Sequence, residues 1–101
     1  MTNFAKKVYD VTSKIPKGKV VTYSQIALKI GNPKSARAVG NALHKNPDSF
    51  KYPCHRVVNV NGRLATNFGF GGSREQKLRL LSEGVDFIDE TRVDLKNSLW
   101  V

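Results

Sequence analysis

The stretch TYSQIALKIGNPKSARAVGNALH, residues 22–44, predicts two short helices joined by a tight turn. Thr22 and Gln25 have the spacing of a capping box, in which each side chain accepts a hydrogen bond from the backbone N–H of the other residue. Gly31 predicts the end of the first helix, because glycine readily adopts the left-handed conformation that closes a helix. The apolar face of this helix is formed by Ile26, Ala27 and Ile30.

The second helix of the stretch is predicted over residues 33–44. Asn32 is placed as its N-cap, and Pro33 follows at the first helical position, where the missing N–H of proline has no cost. The residues expected to face inward are Ala36, Val39, Ala42 and Leu43. Two short helices around a glycine-containing turn predict a helix-turn-helix, although helical hairpins of small residues also occur in proteins that bind no DNA.

The flanking segments extend this unit to a small, mainly helical domain. Upstream, apolar residues at helical spacing predict a helix over residues 3–15. Downstream, Asn61-Gly62 predicts a tight turn within a small β-hairpin over residues 58–64. We therefore predict a mainly α, winged-helix-like helix-turn-helix domain with a small β-hairpin, as one domain over residues 1–101.

A further helix is predicted after a glycine-rich, aromatic loop at residues 68–72. Ser73 and Gln76 have capping-box spacing, and Gly84 marks the end of the helix. The leucines expected to face inward are Leu78, Leu80 and Leu81. From Val85 the tail alternates charged and apolar residues, which predicts either a strand or an irregular cover over the core.

The charge of the chain indicates a polyanionic partner. Seventeen Lys and Arg residues against eight Asp and Glu residues leave a formal charge of +9, with a sequence pI near 10.0. Nucleic acid is the commonest polyanion in a cell, although an anionic membrane surface or simple solubility would also suit such a charge. No apolar run long enough to span a membrane is present, and the N-terminus lacks the pattern of a signal peptide. We expect a cytoplasmic protein.

The chain has a single cysteine, Cys54, which excludes an intrachain disulfide and a thiolate-rich zinc site. Cysteine is also the strongest candidate nucleophile in the sequence, since a thiol near neutral pH needs only partial deprotonation to attack. Neighbouring His55 can act as a base and Arg56 adds positive potential. A carboxylate is needed to orient the imidazole, and the candidates are Glu75, Glu83 and Asp86. The alternative is that Cys54 is a small buried apolar residue.

The residues PCHRV at 53–57 resemble the active-site signature of the O6-alkylguanine-DNA alkyltransferases, repair proteins that move an alkyl group from guanine O6 to their own cysteine. The resemblance covers nearly the whole chain. The other matching motifs, in chain order, are IPKGKVVTY at 15–23, GNP at 31–33, ARAVG at 36–40, NP at 46–47, LL at 80–81 and EG at 83–84. Together these motifs make the resemblance specific.

The resemblance implies a role for each matched position of the active site. Cys54 would accept the alkyl group, His55 would draw its proton through a water, and Glu83 would hold His55 in the productive tautomer. Tyr23 would promote flipping of the base and donate a hydrogen bond as O6 departs. Asn46 would brace the backbone of the turn that carries Cys54.

The resemblance also implies how DNA would bind. Arg37 would enter the duplex from the minor groove and fill the space left by the flipped guanine. The other implied DNA contacts are Thr22, Tyr23, Lys34, Ser35, Ala36, Gly40 and Arg56. The implied partner is double-stranded DNA containing O6-alkylguanine, with no cofactor or metal, and a monomer is the simplest state. Each residue taken singly has an ordinary alternative, such as a solvated helix charge for Arg37 or a helix C-cap for Asn46.

Two features depart from the family pattern. Many members carry an additional N-terminal domain, which we do not expect in this chain. The segment 65–72 is longer than the family's loop over the flipped base and contains phenylalanines, so the pocket lid cannot be carried over residue by residue. Both features resemble the alkyltransferase-like proteins, single-domain relatives that bind O6-alkylguanine and flag it for nucleotide excision repair. Those proteins usually carry Trp or Ala where this chain has Cys54.

Three hypotheses of different classes follow. The leading one is transfer of the alkyl group to Cys54, because the set of Cys54, His55 and Glu83 is what this chemistry requires. The alternative is a non-enzymatic damage sensor that recruits nucleotide excision repair proteins, with Cys54 only lining the pocket. A winged-helix transcription factor ranks third, since nothing in the sequence indicates recognition of a palindrome by a dimer.

Overall fold

Five α-helices and one pair of short strands make up the computed structural model, which describes residues 2–65 and 68–100. The elements, in chain order, are α1 (Asn3–Ser13), β1 (Val21–Thr22), α2 (Tyr23–Lys29), α3 (Ala36–His44), a 3₁₀ turn (Cys54–Arg56), β2 (Val57–Val58), α4 (Gly72–Ser82) and α5 (Leu95–Ser98). The architecture is mainly helical, as predicted. No helix of the described residues is long and apolar enough to cross a bilayer.

Helix α1 begins where Thr2 caps it, with the threonine hydroxyl accepting a hydrogen bond from the N–H of Ala5 at 3.1 Å. Val8 is fully buried on the inner face of this helix. The helix ends at Ser13, two residues before the predicted end, while Ile15 enters the core from the following turn. The helical spacing of apolar residues thus predicts the buried face correctly, although Ile15, the last of the apolar residues, lies outside the helix.

The helix-turn-helix prediction is confirmed, and its first capping box forms as expected. The N–H of Gln25 donates to the hydroxyl of Thr22 at 3.1 Å, and the N–H of Thr22 donates to the amide oxygen of Gln25 at 2.8 Å. Gly31 follows α2 with φ at +79°, a left-handed conformation that side chains with a Cβ rarely adopt. This residue therefore ends the helix, as predicted.

The predicted start of α3 is wrong by three residues. The residue at the N-cap position is Ser35, not Asn32, and no side chain caps the helix. The carbonyl of Asn32 accepts hydrogen bonds from the N–H of Ser35 at 3.0 Å and from the hydroxyl of Ser35 at 2.6 Å. The segment 32–35 is therefore a separate turn, and the helix begins at Ala36. A local turn between residues three apart outcompetes an N-cap at Asn32.

The two strands form a sheet that differs from the predicted hairpin. β1 and β2 pair in parallel, with Val21 opposite Val57 and Thr22 opposite Val58. All three valines at this contact are fully buried. Helix α2 follows β1 directly, and the 3₁₀ turn directly precedes β2. The pairing of the two strands therefore holds the helix-turn-helix against the segment that contains Cys54.

The hairpin predicted over residues 58–64 is wrong in its strands, although its turn is present. The N–H of Asn59 donates to the carbonyl of Arg63 at 3.1 Å across this turn. Beyond the turn, Arg63 pairs with Arg92 in an isolated antiparallel bridge. The hairpin prediction paired the residues on the two sides of this turn with each other as strands, whereas Arg63 pairs with Arg92 of the C-terminal segment. Turn residues alone do not encode a partner so distant in the chain.

The beginning of α4 also differs from the prediction. The N-cap is Gly71, with φ at +122°, and no side chain caps the helix. Gln76 is fully buried and makes its hydrogen bonds elsewhere, so the predicted capping box with Ser73 is wrong. This helix buries positions 76 and 80, which are one turn apart and share one face.

The three leucines of α4 do not all face inward. Leu80 is fully buried, whereas Leu78 is 53% exposed and Leu81 is 48% exposed. Residues one or two positions apart point in different directions on a helix, so a single buried face cannot contain all three. The prediction is correct for Leu80 and wrong for its two neighbours.

The tail from Val85 lies over the core with little regular structure, which is one of the two predicted outcomes. Its end is attached by backbone hydrogen bonds to Val20, directly before β1: the N–H of Val20 donates to the carbonyl of Ser98 at 2.9 Å, and the N–H of Trp100 donates to the carbonyl of Val20 at 2.8 Å. The side-chain amide of Gln25 also donates to the carbonyl of Trp100 at 3.0 Å. The tail thereby fixes the start of α2.

Candidate active site

The turn that carries Cys54 is built by backbone and amide hydrogen bonds. The N–H of Cys54 donates to the carbonyl of Tyr52 at 2.7 Å, and Pro53 between them keeps this turn narrow. The side-chain amide of Asn46 donates to the same carbonyl at 2.7 Å, and its oxygen accepts from the N–H of Asp48 at 3.0 Å. Asn46 is buried at this position, where it braces the backbone directly before Cys54.

His55 and Glu83 are 28 positions apart in the chain and meet in the structure. The Nε2 atom of His55 lies 3.0 Å from Oε2 of Glu83, and both side chains are nearly buried. Of the three carboxylates that residue spacing left open, the structure brings Glu83 to the imidazole. Glu75 pairs instead with Arg79 of its own helix, at 3.1 Å.

Arg56 holds the carboxylate of Glu83 from the other side. Its Nε and Nη2 atoms donate to the two carboxylate oxygens, at 3.0 Å and 2.6 Å, and its Nη1 atom donates to the carbonyl of Ile15 at 2.8 Å. Although burial raises the pKa of Glu83, the hydrogen bonds from Arg56 and His55 hold this pKa below its ordinary value. Glu83 is therefore ionised at neutral pH and keeps a fixed orientation.

The imidazole of His55 is set up as a neutral base. Burial lowers the pKa of His55 below its ordinary value, and the carboxylate of Glu83 opposes this shift without reversing it. With Nε2–H donating to the ionised Glu83, the lone pair of the neutral ring lies on Nδ1. This Nδ1 atom is buried and has no hydrogen-bond partner among the described residues. It is therefore the atom that can accept a proton.

The sulfur of Cys54 requires such a base. Cys54 is 7% exposed, and burial raises the pKa of its thiol above the ordinary value. The amide of Asn46 and the charge of Arg79 act in the opposite direction but do not reverse the shift. The thiol is thus protonated at neutral pH, and it becomes a nucleophile only when a neighbouring group takes its proton.

A small cavity lies directly over Cys54. Its volume is about 30 Å³, and its walls are formed by Tyr23, Gly40, Leu43, His44, Ala65, Phe68 and Gly69. A cavity needs roughly 10–15 Å³ to hold a water molecule, so this one has room for one or two waters or a small group of similar size. Several of the same residues also line an adjacent cleft of about 380 Å³.

The residues predicted to contact DNA fall into two groups. Those at the start of α3 are accessible: Lys34 and Arg37 are exposed, and Ser35 and Ala36 are half-buried. In contrast, the hydroxyl of Thr22 is used in the capping box, and the guanidinium of Arg56 is used by Glu83. The structure therefore gives these last two residues internal roles, and their contact with DNA stays a prediction.

Tyr23 and Gly40 connect the exposed helix to the cavity. Tyr23 is half-buried at the start of α2, and its ring lies against Gly40 of α3, where a Cβ atom would be 3.7 Å from the ring. Burial raises the pKa of the Tyr23 phenol, and the nearby Cys54 acts in the same direction. The phenol therefore keeps its proton and can act as a hydrogen-bond donor at the cavity.

Sequence reasoning missed the role of Gln76. Its side-chain amide donates to the carbonyls of His55 at 3.1 Å and Val57 at 3.0 Å, and its oxygen accepts from the N–H of Ala65 at 2.9 Å. The fully buried side chain of Gln76 thus joins the segment that carries His55 to Ala65, which lines the cavity. The sequence contained a signal for this role: Gln76 lies four positions before Leu80, so the two side chains share one face of α4, and that face is buried.

The fold and the site define a basic helix-turn-helix protein with a buried thiol, imidazole and carboxylate beside its helices. Residues 3–85 match the family model described as 6-O-methylguanine DNA methyltransferase, DNA binding domain. The chain belongs to this family of DNA-repair proteins.

Relatives of two kinds are similar to the chain. Alkyltransferase-like protein 1 of Schizosaccharomyces pombe is 39% identical over 105 residues, which cover 99% of this chain and 96% of that relative. The methylated-DNA–protein-cysteine methyltransferase of Haemophilus influenzae is 41% identical over 90 residues, covering 88% of this chain and 49% of that relative. The chain thus spans nearly the full length of the first kind and about half the length of the second.

The solved structures confirm the predicted helix-turn-helix fold. The structure of S. pombe Atl1 in complex with damaged DNA containing O6-carboxymethylguanine superimposes with a TM-score of 0.89 at 36% sequence identity. The match covers 100% of this chain and 97% of that chain.

Proposed function

We propose that the protein binds O6-alkylguanine in double-stranded DNA, flips the base out of the duplex and transfers the alkyl group irreversibly to Cys54. The observation that supports this proposal most strongly is the contact of 3.0 Å between Glu83 and His55, the residue that follows the buried Cys54 in the chain. A protein that only recognised the base would need no proton acceptor next to a cysteine.

The site residues account for each bond that changes. The Nδ1 atom of His55 accepts the thiol proton through a water, and the sulfur attacks the alkyl carbon in line with its bond to O6. The carbon–sulfur bond forms as the carbon–O6 bond breaks, while Glu83 stabilises the imidazolium. His55 then returns its proton through solvent, and guanine takes up one proton as the unmodified base. Water does not cleave the thioether, so each molecule acts once.

Arg37 assists the flipping of the base out of the duplex, and Tyr23 assists the breaking of the bond between the alkyl carbon and O6. Tyr23 donates a hydrogen bond to O6 as negative charge develops there, which its protonated phenol permits. Arg37, exposed on α3, occupies the gap in the duplex and offsets part of the few kcal/mol that unstacking a base costs. The alkyl group enters the cavity over Cys54, and the base occupies the adjacent cleft.

Binding to DNA depends mainly on contacts with phosphate. The formal charge of +9 provides a strong attraction that does not depend on sequence, as a protein that searches all DNA requires. Lys34 and Arg37 are the exposed cations at the start of α3. Affinity for undamaged DNA is therefore expected to fall steeply with salt concentration.

A second candidate is a damage sensor without transferase activity. It is favoured by one observation: the chain matches almost the full length of an alkyltransferase-like protein. In this case Cys54 only lines the pocket, the flipped base stays alkylated, and nucleotide excision repair proteins are recruited to the complex.

Intact-protein mass spectrometry distinguishes the two candidates. The protein is incubated with a duplex oligonucleotide containing O6-methylguanine, and the Cys54→Ser variant is the control. A mass gain of one methylene in the wild type alone supports the transferase. Tight binding to the same duplex without a mass gain contradicts the transferase and supports the sensor.

A further inference from the structure

Arg79 of α4 contacts two aromatic side chains, those of Phe68 and Phe70. Its guanidinium carbon lies 5.4 Å from the ring centre of Phe68 and 5.8 Å from that of Phe70. The two rings are tilted by 58° with their centres 5.8 Å apart. The Nε atom of Arg79 donates to Glu75 at 3.1 Å, which sets the orientation of the guanidinium. One side chain is thus placed between both phenylalanines.

These contacts act on the wall of the Cys54 cavity. Phe68 is 8% exposed, lines the cavity over Cys54 and packs in the same core cluster as the cysteine. The backbone around it contains Gly69, Gly71 and Gly72, and glycine loses more conformational freedom on ordering than any other residue. Side-chain contacts must therefore supply much of the energy that holds this wall in place.

The guanidinium of Arg79 packs on Phe68, a wall of the Cys54 cavity, and its positive charge lowers the pKa of the Cys54 thiol. The titratable side chains near Cys54 on the other helices are Tyr9 of α1, Tyr23 of α2 and His44 of α3, and His55 is its neighbour in the chain. The phenols are uncharged at neutral pH, and His55 is neutral as well. The guanidinium of Arg79 carries a positive charge that favours the thiolate of Cys54.

We propose that Arg79 is a positioning residue of the active site: it fixes Phe68 and Phe70 as the wall of the cavity and places a positive charge near the sulfur of Cys54. Its meaning for base repair rests on the proposed function, but both effects concern the thiol itself. They can therefore be measured without DNA.

The test measures the rate at which iodoacetamide alkylates Cys54 as a function of pH, in the full chain without DNA. The variants are Arg79→Met and Arg79→Lys, and the matched control is Arg74→Met, which alters an exposed arginine of the same helix. The plateau rate at high pH reports access to the sulfur, and the midpoint of the profile reports the pKa of the thiol.

For Arg79→Met we expect the plateau rate to rise roughly tenfold, because two cation–π contacts that restrain the wall are lost. We also expect the midpoint to move to higher pH, because the thiolate loses its cation. Arg79→Lys should restore the midpoint more than the plateau, since an ammonium keeps the charge but lacks the planar face that stacks on two rings.

An unchanged plateau in Arg79→Met would overturn the role in the wall, and an unchanged midpoint would overturn the electrostatic role. Equal changes in Arg74→Met would overturn both. If Arg79→Met does not fold, Glu75→Gln replaces it, because this change leaves Arg79 in place and removes only the charge of its orienting partner. It should raise the plateau by a smaller factor, and an unchanged plateau would overturn the role in the wall. A wild type that fails to take a methyl group from guanine leaves these measurements valid, so failure of the two proposals can be told apart.

Discussion

Replacement of Glu83 by glutamine is expected to lower the free energy of unfolding by about 3 kcal/mol. The carboxylate is 10% exposed and binds both His55 and Arg56, whose side chains are 7% and 16% exposed. Removal of one partner from a buried ion pair typically costs about 3–5 kcal/mol, because the remaining charge is left without compensation. The amide keeps one acceptor oxygen, which places the expected loss at the lower end.

Thermal unfolding followed by circular dichroism at pH 7 measures this effect. For a domain of this size, 1 kcal/mol shifts Tm by about 4–8 °C, so Glu83→Gln should lower Tm by roughly 12–24 °C. The matched control is Asp10→Asn, which breaks an ion pair with Lys14 of 3.3 Å whose side chains are 67% and 65% exposed. Such a pair contributes less than about 1 kcal/mol. A decrease for Glu83→Gln no larger than for the control would refute the reasoning.

The pH dependence of this difference provides a second check. The folded-state pKa of Glu83 lies below its ordinary value of 4.5. Its contribution to stability is therefore fully present above the unfolded-state pKa and is lost as the pH falls through the lower, folded-state pKa. The Tm difference between wild type and Glu83→Gln should stay constant above the ordinary histidine pKa of 6.5 and shrink as the pH falls through the folded-state pKa of Glu83, where the carboxylate of the wild type is protonated.

Four further predictions concern the site and the fold. Arg37→Ala should weaken binding to an O6-methylguanine duplex in a fluorescence titration while Tm stays the same; unchanged affinity would exclude insertion of this arginine into the duplex. His55→Gln should slow alkyl transfer roughly 10²- to 10⁴-fold in single-turnover kinetics, and a rate within threefold of wild type would mean that another group takes the proton. Leu80→Ala should cost about 2–5 kcal/mol in urea unfolding and Leu81→Ala much less, since only the former is fully buried; equal losses would contradict the described face of α4. Gly62→Ala should cost more than about 1 kcal/mol in the same assay, because φ is +83° and a Cβ would lie 2.6 Å from a backbone carbonyl; wild-type stability would show that the turn relaxes freely.

The local features of the fold were predictable where neighbouring residues decide them. The capping box of Thr22 and Gln25 and the glycine that ends α2 depend on groups three or four positions apart, so their pattern is visible in the sequence. The same kind of pattern failed at Gln76, whose hydrogen bonds go to residues 11 to 21 positions away. Capping signals are reliable only when no distant partner competes for the side chain.

The chemical groups of the site can be read from the order of residues, because the motif PCHR and the order of the flanking motifs are properties of the chain. Which of these groups meet depends on how the chain packs. Residue spacing left three carboxylates open for His55, and the packing of α4 against the 3₁₀ turn brings Glu83 within 3.0 Å of it. The parallel pairing of β1 with β2 is a choice of the same kind. Such contacts join distant segments, and their free energy depends on burial that exists only after the whole chain has packed.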